Sequence, residues 1–428
     1  MRKAMLLIVV LVALLPTGTS HAQGEGEVNF PELTGPYAVG RVSYHFVDEA
    51  RAEVYSDDPD DVREVMVTVY YPAEPDAGAV PGEYADAALQ DGIQATMGIP
   101  AEVLDSIQPH AYEQAPAVQE RFPVLIFSHG GGVNPIFYTA MLEEISSHGY
   151  VVAAITHPYE SSVTVFPDGR QVASYDVGAD FYADIWELSD EQRQDLADVP
   201  SSQRLATLQS ALSEDELNAG MERYYEFVVA LHTQDMQSVV DQLSALDEDD
   251  PILAGRLDFE RLGAFGHSLG GATAANAMHE DSRFKAGIDI DGSLFSAKDY
   301  TLEQPFMLIL SDNRLTVAQD TSEEARTAIT EYCGEMSAFY ARLSPGYFFT
   351  LAGLTHIGLV SDLALAQTVY PEFLGGLVVG IEPTRAVEML NTYVWTFFDQ
   401  YLNGTGSVDD LAADFPEVLV DPKVCIPS

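Results

Sequence analysis

Three residues of the chain have the types and surroundings needed for nucleophilic catalysis: a serine, a histidine and an aspartate. The serine, Ser268, lies at the centre of the pentapeptide GHSLG at residues 266–270. A G-x-S-x-G turn between a strand and a helix holds its serine in a strained conformation, with the hydroxyl exposed above the sheet. The apolar run at 262–265 predicts that strand, and the small residues at 272–278 predict that helix. Ser268 is therefore the predicted nucleophile.

A serine nucleophile needs a general base, for which histidine is the commonest side chain. In proteins with this G-x-S-x-G turn, called the nucleophile elbow, the nucleophile comes first in the chain, then the acid, then the base. Of the ten histidines, only His279 and His356 follow Ser268. His279 falls inside the predicted helix after the elbow and points away from its tip. His356 lies on a glycine-flanked loop after a late strand, where a base belongs. We predict His356 as the base, the alternative being a structural loop histidine.

Two aspartates could orient the imidazole of the base, Asp291 and Asp312. Each directly follows an apolar strand and so lies near the carboxyl edge of the predicted sheet, and position alone does not separate them. Gly292 permits a tight turn that would aim the Asp291 side chain at the histidine loop. Asp312 stands in a polar loop in which Arg314 is an available ion partner. We predict Asp291 as the acid and keep Asp312 as the alternative.

A glycine-rich turn follows another buried strand and could bind an oxyanion. The continuous apolar run at 122–127 predicts a strand covered on both faces, and it ends in SHGGG at residues 128–132. We predict that the backbone N–H groups of Gly131 and Leu269, the latter at the start of the helix after the elbow, hold the oxyanion. A phosphate loop is the alternative, but no G-K-[ST] follows. His129 is predicted to brace the loop.

Strands alternate with helices along most of the chain, which predicts an α/β class with a doubly wound, mostly parallel sheet. We expect a main domain over 23–402, with a flap at 76–121, a helical acidic insertion or lid at 172–250, and a C-terminal tail at 403–428. Residues 176–250 hold 19 Asp and Glu against three Arg, and a helix returning to the core is predicted at 224–243. Further strands are predicted at 39–46, 65–71, 150–155, 284–290, 305–310 and 348–351, and helices at 137–148 and 387–402.

The N-terminal 22 residues have the pattern of a secretory signal. Arg2 and Lys3 precede an apolar core at 4–15, and Ser20-His21-Ala22 forms a cleavage site with small residues. The apolar core is too short to span a bilayer, so we expect a secreted or periplasmic protein without a stable membrane anchor. In such a compartment Cys333 and Cys425, the only cysteines, could form a disulfide, or both could be free thiols.

The net charge of −47 limits the possible partners. Such a surface repels nucleic acid and anionic membranes, and it indicates either general solubility or adaptation to high salt. The sequence has no H-E-x-x-H motif, clustered metal ligands or EF-hand spacing, so neither a metal nor a cofactor is expected. It does not indicate an oligomeric state.

Five segments together resemble the plasma-type platelet-activating-factor acetylhydrolase family and its bacterial esterase relatives: FPVLIFSHGGG, HGYVVAAITHPYE, GHSLGGATAA, RFKAGIDIDGSLF and LTHIGLVSD. The resemblance implies an α/β-hydrolase fold, an acid on the strand directly after the elbow, and metal-free hydrolysis of a small-molecule or lipid ester through an acyl-enzyme. Two alternatives remain: a catalytically inactive binding module on a hydrolase fold, and an acyltransferase or peptidase of the same fold.

Overall fold

A ten-stranded mixed sheet lies at the centre of the computed structural model, which describes residues 26–420 and Cys425. In chain order the strands are β1 (Val28–Asn29), β2 (Ala38–Ala52), β3 (Val62–Ala73), β4 (Ile107–Gln108), β5 (Tyr112–Glu113), β6 (Phe122–Ser128), β7 (Val151–Thr156), β8 (Val163–Val165), β9 (Gln171–Ala173), β10 (Leu257–His267), β11 (Phe284–Ile290), β12 (Phe306–Leu310), β13 (Gly346–Leu351) and β14 (Val418–Leu419). The helices are α1 (Ala87–Met97), α2 (Ala101–Asp105), α3 (Thr139–Ser147), α4 (Ala179–Ile185), α5 (Asp190–Ala197), α6 (Ser201–Ala211), α7 (Glu214–Asp249), α8 (Leu269–Glu280), α9 (Asn313–Gln319), α10 (Glu323–Tyr340), α11 (Ser361–Ala366), α12 (Pro371–Leu374) and α13 (Pro383–Phe398).

The strand order of the main sheet is β14-β13-β12-β11-β10-β6-β7-β3-β2-β5. From β13 to β7 all neighbours are parallel, whereas β3 pairs antiparallel with both β7 and β2, and β14 pairs antiparallel with β13. The predicted doubly wound, mostly parallel sheet is therefore confirmed, with antiparallel strands towards its two edges.

Both faces of the sheet are covered, as a continuous apolar strand requires. Leu125 and Phe127 of β6 lie in one buried cluster, together with residues of α3 and α13. Val124 and Ile126 point to the opposite face and lie in a second cluster, with residues of α7, α8 and α10. Since successive side chains of a strand alternate between faces, one short sequence run contributes to two cores.

The interpretation of 76–121 as a flap is wrong for its middle part. This stretch contains α1 and α2, and Ile93, Ile99 and Leu104 are fully buried in the cluster that also holds Phe127. The Tyr84 hydroxyl donates a 2.8 Å hydrogen bond to a buried carboxylate in α11. The burial of these residues could not be predicted from periodicity, because both helices are short and partly exposed.

The acidic insertion contains four helices, α4 to α7. Ser189 and Ser213 form capping boxes at the starts of α5 and α7, so side chains satisfy the free N–H groups there. Helix α7 is 36 residues long and includes the predicted returning helix. Met236 and Leu243 in its second half are fully buried in the second core cluster. The insertion and the core therefore share one continuous helix.

The C-terminal segment is attached to the body by a strand and a disulfide. Strand β14 pairs with the end of β13, and Cys425 is bonded to Cys333 of α10, with their Cα atoms 5.6 Å apart. Of the two alternatives for the cysteines, the structure has the disulfide. In the described part of the chain, no helix combines the length and apolar character that crossing a bilayer would require.

Candidate active site

Three strand ends meet at one level of the sheet. Gly266 of β10 is paired with Ser128 of β6 on one side and with Asp289 of β11 on the other. Because these strands are parallel, the residues that follow them emerge at the same carboxyl edge. Ser268, Asp291 and the glycine loop after β6 are thereby brought together.

The turn that carries Ser268 is strained and tightly packed. Ser268 has φ 56° and ψ −118°, a conformation that L-residues rarely adopt. A Cβ on Gly266 would lie 2.3 Å from the Gly270 carbonyl oxygen, and one on Gly270 would lie 2.0 Å from the Ser128 carbonyl oxygen. Glycine is required at both positions, and the turn holds the serine at the N-terminus of α8.

His356 bridges the serine and an aspartate. Its Nε2 lies 3.0 Å from Ser268 Oγ, and its Nδ1 lies 2.7 Å from Asp291 Oδ2. A carboxylate can only accept, so Nδ1 carries the proton and Nε2 of the neutral ring accepts from the serine hydroxyl. This is the arrangement in which an imidazole can remove a proton from a serine.

The Asp291 carboxylate is fixed by further donors. Its other oxygen accepts hydrogen bonds from the Ser311 N–H at 2.9 Å and from the Tyr332 hydroxyl at 3.3 Å. Burial alone would raise the pKa of Asp291, but the hydrogen bonds from His356 and Ser311 outweigh it, and the pKa lies below its usual value. Asp291 is therefore ionised at neutral pH and can balance a positive charge on the imidazole.

Asp312, the alternative acid, has different partners. Its carboxylate accepts from Arg314 Nε at 2.6 Å, from Arg314 Nη2 at 2.7 Å and from the Gly353 N–H at 3.1 Å. Gly353 belongs to the loop that carries His356. Asp312 thus fixes the position of this loop, while the structure places Asp291 against the imidazole.

His267, a histidine with no role predicted above, supports the His356 loop from inside. Its Nε2–H donates to the carbonyl oxygen of His356 at 3.1 Å, and its Nδ1 accepts from the Tyr138 hydroxyl at 2.8 Å. Burial and the neighbouring His356 lower the pKa of His267 to about 3, so the ring stays neutral. The only signal in the sequence is its position directly before the elbow serine.

Gly131 and Leu269, the two residues predicted to supply oxyanion donors, are neighbours at the elbow. Leu269 is the first residue of α8, where an N–H has no acceptor within the helix. A Cβ built on Gly131 would be 3.6 Å from the Leu269 side chain, and one on Gly130 would be 3.3 Å from the Cβ of Ser268. The glycine loop therefore lies directly against the turn that carries the serine.

An aromatic cluster from the acidic insertion packs onto this side of the site. It contains Leu269 and Ala272 of α8 together with buried and half-buried rings from other elements. Phe295, which follows β11, stacks on Tyr225 of α7 with ring centroids 5.3 Å apart. The rings of this cluster, called the aromatic wall below, are Tyr55, Tyr159, Phe181, Tyr182, Trp186, Tyr224, Tyr225, Phe227 and Phe295.

A second carboxyl group, Asp289, lies below the site and does not touch the histidine. It is fully buried, and one oxygen accepts from the Gly292 N–H at 2.7 Å while the other has no hydrogen-bond partner. Burial raises the pKa of Asp289 to about 8. The group is therefore mostly protonated at neutral pH.

This raised pKa predicts how Asp289→Asn changes stability with pH. An aspartate in the unfolded chain has a pKa of about 3.9, so the folded state binds this proton more tightly. The resulting stabilisation is complete below about pH 4 and is lost as pH rises through the folded pKa of about 8. The asparagine cannot titrate, so we expect its stability relative to wild type to improve from pH 5 to pH 9.

Urea midpoints of both proteins at pH 5, 7 and 9 would measure this change. The same substitution at the exposed Asp299 is the matched control, for which we expect no such trend. An Asp289→Asn difference that stays constant over the pH range would contradict the prediction.

Comparison with known proteins identifies the family. The sequence profile described as "Platelet-activating factor acetylhydrolase, isoform II" matches residues 22–411, which is most of the chain. The chain belongs to this family. The resemblance seen in the sequence segments is thus confirmed, and the chain is an ester hydrolase with the α/β-hydrolase fold.

Individual family members are similar at a moderate level. A platelet-activating factor acetylhydrolase from Cavia porcellus is 25% identical over 88% of this chain and 79% of its own length. One from Canis lupus familiaris is 29% identical over 66% of this chain and 58% of its own length. A probable 1-alkyl-2-acetylglycerophosphocholine esterase from Arthroderma benhamiae is 24% identical over 62% of this chain and 59% of its own length.

A solved structure shares the fold. It is described as a ferulic acid esterase from Streptomyces cinnamoneus and superposes with a TM-score of 0.67, covering 92% of this chain and 99% of its own at 23% identity.

Within residues 26–420 and Cys425, no group of three or more His, Cys, Asp or Glu side chains is arranged to hold a metal ion.

Proposed function

We propose that the chain is a secreted serine esterase that hydrolyses carboxylic esters through an acyl-enzyme on Ser268. The observation that carries the proposal is the continuous hydrogen-bonded chain from Ser268 Oγ through His356 to Asp291 Oδ2, with distances of 3.0 and 2.7 Å. All three groups are in contact without rearrangement, which argues against an inactive binding module. Asp312 is proposed only as a support of the histidine loop.

The first step forms the acyl-enzyme. Ser268 Oγ attacks the ester carbonyl carbon while Nε2 of His356 takes the hydroxyl proton. The resulting imidazolium is stabilised by the Asp291 carboxylate. His356 then returns the proton to the departing alkoxide oxygen, the carbon–oxygen bond breaks, and an alcohol leaves.

The negative charge that develops on the carbonyl oxygen needs fixed donors. We assign this role to the backbone N–H groups of Gly131 and Leu269, and one such donor contributes about 3 kcal/mol to transition-state stabilisation. Leu269 also lies at the N-terminus of α8, where the helix dipole favours negative charge. In this proposal the backbone fixes both donors before the reaction, so no reorganisation is needed when the charge appears.

The second step releases the acid. A water molecule takes the place of the alcohol, His356 removes its proton, and the resulting hydroxide attacks the acyl carbon. His356 then protonates Ser268 Oγ as the bond to the acyl group breaks. The same two oxyanion donors serve both steps, and no cofactor is required.

The substrate class that we propose is a small-molecule or lipid ester with a short acyl group. The relatives are described as acetylhydrolases or as an esterase of 1-alkyl-2-acetylglycerophosphocholine, which supports a short acyl chain. The aromatic wall beside Leu269 would suit an apolar portion of the ester. Helix α4 supplies Phe181 and Tyr182 to this wall, and Leu196 of α5 and Leu208 of α6 pack in the same cluster. We propose that α4 to α6 act as a lid.

Secretion is supported by two features. The signal-like residues 1–22 lie outside the described residues, so this support comes from the sequence alone. The Cys333–Cys425 disulfide is of the kind that persists in an oxidising compartment. We propose a secreted or periplasmic location.

A fluorophosphonate probe and a panel of p-nitrophenyl esters would test the proposed function. We expect stoichiometric labelling of Ser268 and turnover that is fastest for short acyl chains. Labelling should be blocked by prior incubation with a good ester substrate. A folded protein that neither reacts with the probe nor turns over any ester would exclude the serine esterase.

A further inference from the structure

A second serine–histidine–aspartate chain lies behind the active site. Ser128 Oγ is 3.0 Å from Nε2 of His157, and Nδ1 of His157 is 2.8 Å from Oδ2 of Asp235. All three residues have no exposed surface. No substrate can reach them, so their contribution must come from the groups that they hold in place.

The proton positions in this buried triad follow from its charges. Asp235 accepts two hydrogen bonds from the buried Arg63, at 3.1 and 2.6 Å. Burial alone would raise the pKa of Asp235, but Arg63 and His157 hold it well below its usual value. The carboxylate therefore accepts from His157 Nδ1–H, and burial lowers the pKa of His157 so that the ring is neutral. Nε2 of His157 must then accept from the Ser128 hydroxyl.

The next residue in the chain, His129, connects this triad to the glycine loop. The backbone N–H of His157 donates to Nε2 of His129 at 3.2 Å. The neutral ring consequently carries its proton on Nδ1, which donates to the carbonyl oxygen of Gly130 at 2.8 Å. The N–H of Val133 donates to the same oxygen at 3.1 Å. Two donors thus fix the direction of the Gly130 carbonyl.

This direction also determines where the next N–H points. The carbonyl of Gly130 and the N–H of Gly131 belong to one planar trans peptide, in which the two groups point in opposite directions. Holding the oxygen on His129 and Val133 therefore turns the Gly131 N–H away from both. A rotation of this peptide would remove one oxyanion donor without breaking any contact of Ser268.

We propose that His129, held by the buried Ser128–His157–Asp235 triad, is a positioning residue that orients the Gly131 N–H towards the oxyanion. The inference rests on the proposed function, because it assigns a role to the same site. Asp235 lies on α7, so the buried triad also connects the glycine loop to the helix that continues into the acidic insertion.

Two substitutions of His129 would test the role of its Nδ1 donor. His129→Leu removes the donor, whereas His129→Asn keeps an N–H at about the place of Nδ1. We expect the leucine variant to lower kcat by about 10- to 100-fold with little change in KM, since one misdirected oxyanion donor is affected. The asparagine variant should recover a large part of kcat. His279→Leu, at an exposed histidine in α8, is the matched control and should leave kcat unchanged.

A thiono ester separates positioning from general structural damage. An oxyanion hole favours oxygen over the weaker acceptor sulfur, so the rate ratio of an oxo ester to its thiono analogue reports on the donors. We expect His129→Leu to lower this ratio and His129→Asn to restore it. Equal losses on both esters, or an asparagine variant no better than the leucine variant, would overturn the proposal.

Ser128→Ala tests the buried triad with a smaller change. It replaces His129→Leu in the experiment if that variant does not fold. We expect a reduction of kcat of about 3- to 10-fold and a lower oxo-to-thiono ratio, because His157 loses one of the contacts that fix it. An unchanged ratio in this variant would show that the triad does not act on the loop. If wild type itself neither hydrolyses esters nor reacts with fluorophosphonate, the proposed function fails; wild-type activity with unchanged ratios in all variants overturns only the positioning role.

Discussion

Ser268→Ala is expected to lower kcat for small esters by about 10³-fold or more, because nucleophile, base and acid act as one unit. The substitution removes the oxygen that His356 Nε2 contacts at 3.0 Å and leaves the rest of the turn unchanged. Alanine adopts the positive φ of this position no worse than serine does. We therefore expect a melting temperature close to that of wild type.

Turnover of p-nitrophenyl acetate and the melting temperature of the purified variant would measure both effects. Ser282→Ala, at an exposed serine near the end of α8, is the matched control and should retain full activity. Near-normal turnover by the Ser268→Ala protein would refute the nucleophile assignment, and a protein that fails to fold would have to be excluded by circular dichroism.

Asp291→Asn is also expected to have a large effect, a loss of about 10⁴-fold in kcat. The carboxylate now accepts from His356 Nδ1–H at 2.7 Å. An amide in its place can donate its own N–H to Nδ1, which leaves the proton on Nε2. In this tautomer His356 cannot accept the proton of Ser268, and it also loses the charge that stabilises the imidazolium.

Asp312→Asn should have a much smaller effect on kcat. Its carboxylate contacts Arg314 and Gly353 instead of the imidazole, so the change loosens the histidine loop and leaves the tautomer unaltered. Measuring kcat for both variants at temperatures of equal folded fraction separates chemistry from stability. If only the Asp312 change costs several orders of magnitude, then Asp312 is the acid and Asp291 is not.

The elbow and the strand after it were predictable because their signals are local, whereas the strand before it was predicted at 262–265 and spans Leu257–His267. Glycines at 266 and 270 mark a turn that only they can form, and the apolar run at 284–290 coincides with β11. Strand ends alone did not separate the two aspartates, since both follow an apolar strand, and the prediction of Asp291 rested on Gly292 and on the polar loop around Asp312. In the structure the two carboxylates differ in their partners, because Asp291 contacts the His356 imidazole and Asp312 accepts from Arg314.

The roles of His157 and His267 could not be predicted because their partners are distant in sequence. His157 and Asp235 are 78 positions apart, and His267 and Tyr138 are 129 positions apart. Packing of α7 and of the helix after β6 brings these pairs together. The burial of Ile93 and Leu104 was missed for a related reason, since short helices give too few turns for a clear period.

The buried triad has a consequence for recognising enzymes by shape. Within residues 26–420, a geometric template of serine, histidine and aspartate would match both Ser268–His356–Asp291 and Ser128–His157–Asp235, with serine–histidine distances of 3.0 Å in each. Backbone conformation and exposure distinguish the two serines. Ser268 has a positive φ and is the N-cap residue of a helix, whereas Ser128 is the last residue of a strand and has no exposed surface. A search that scores side chains alone would therefore assign the nucleophile to the wrong serine in half of its matches, unless solvent access is part of the template.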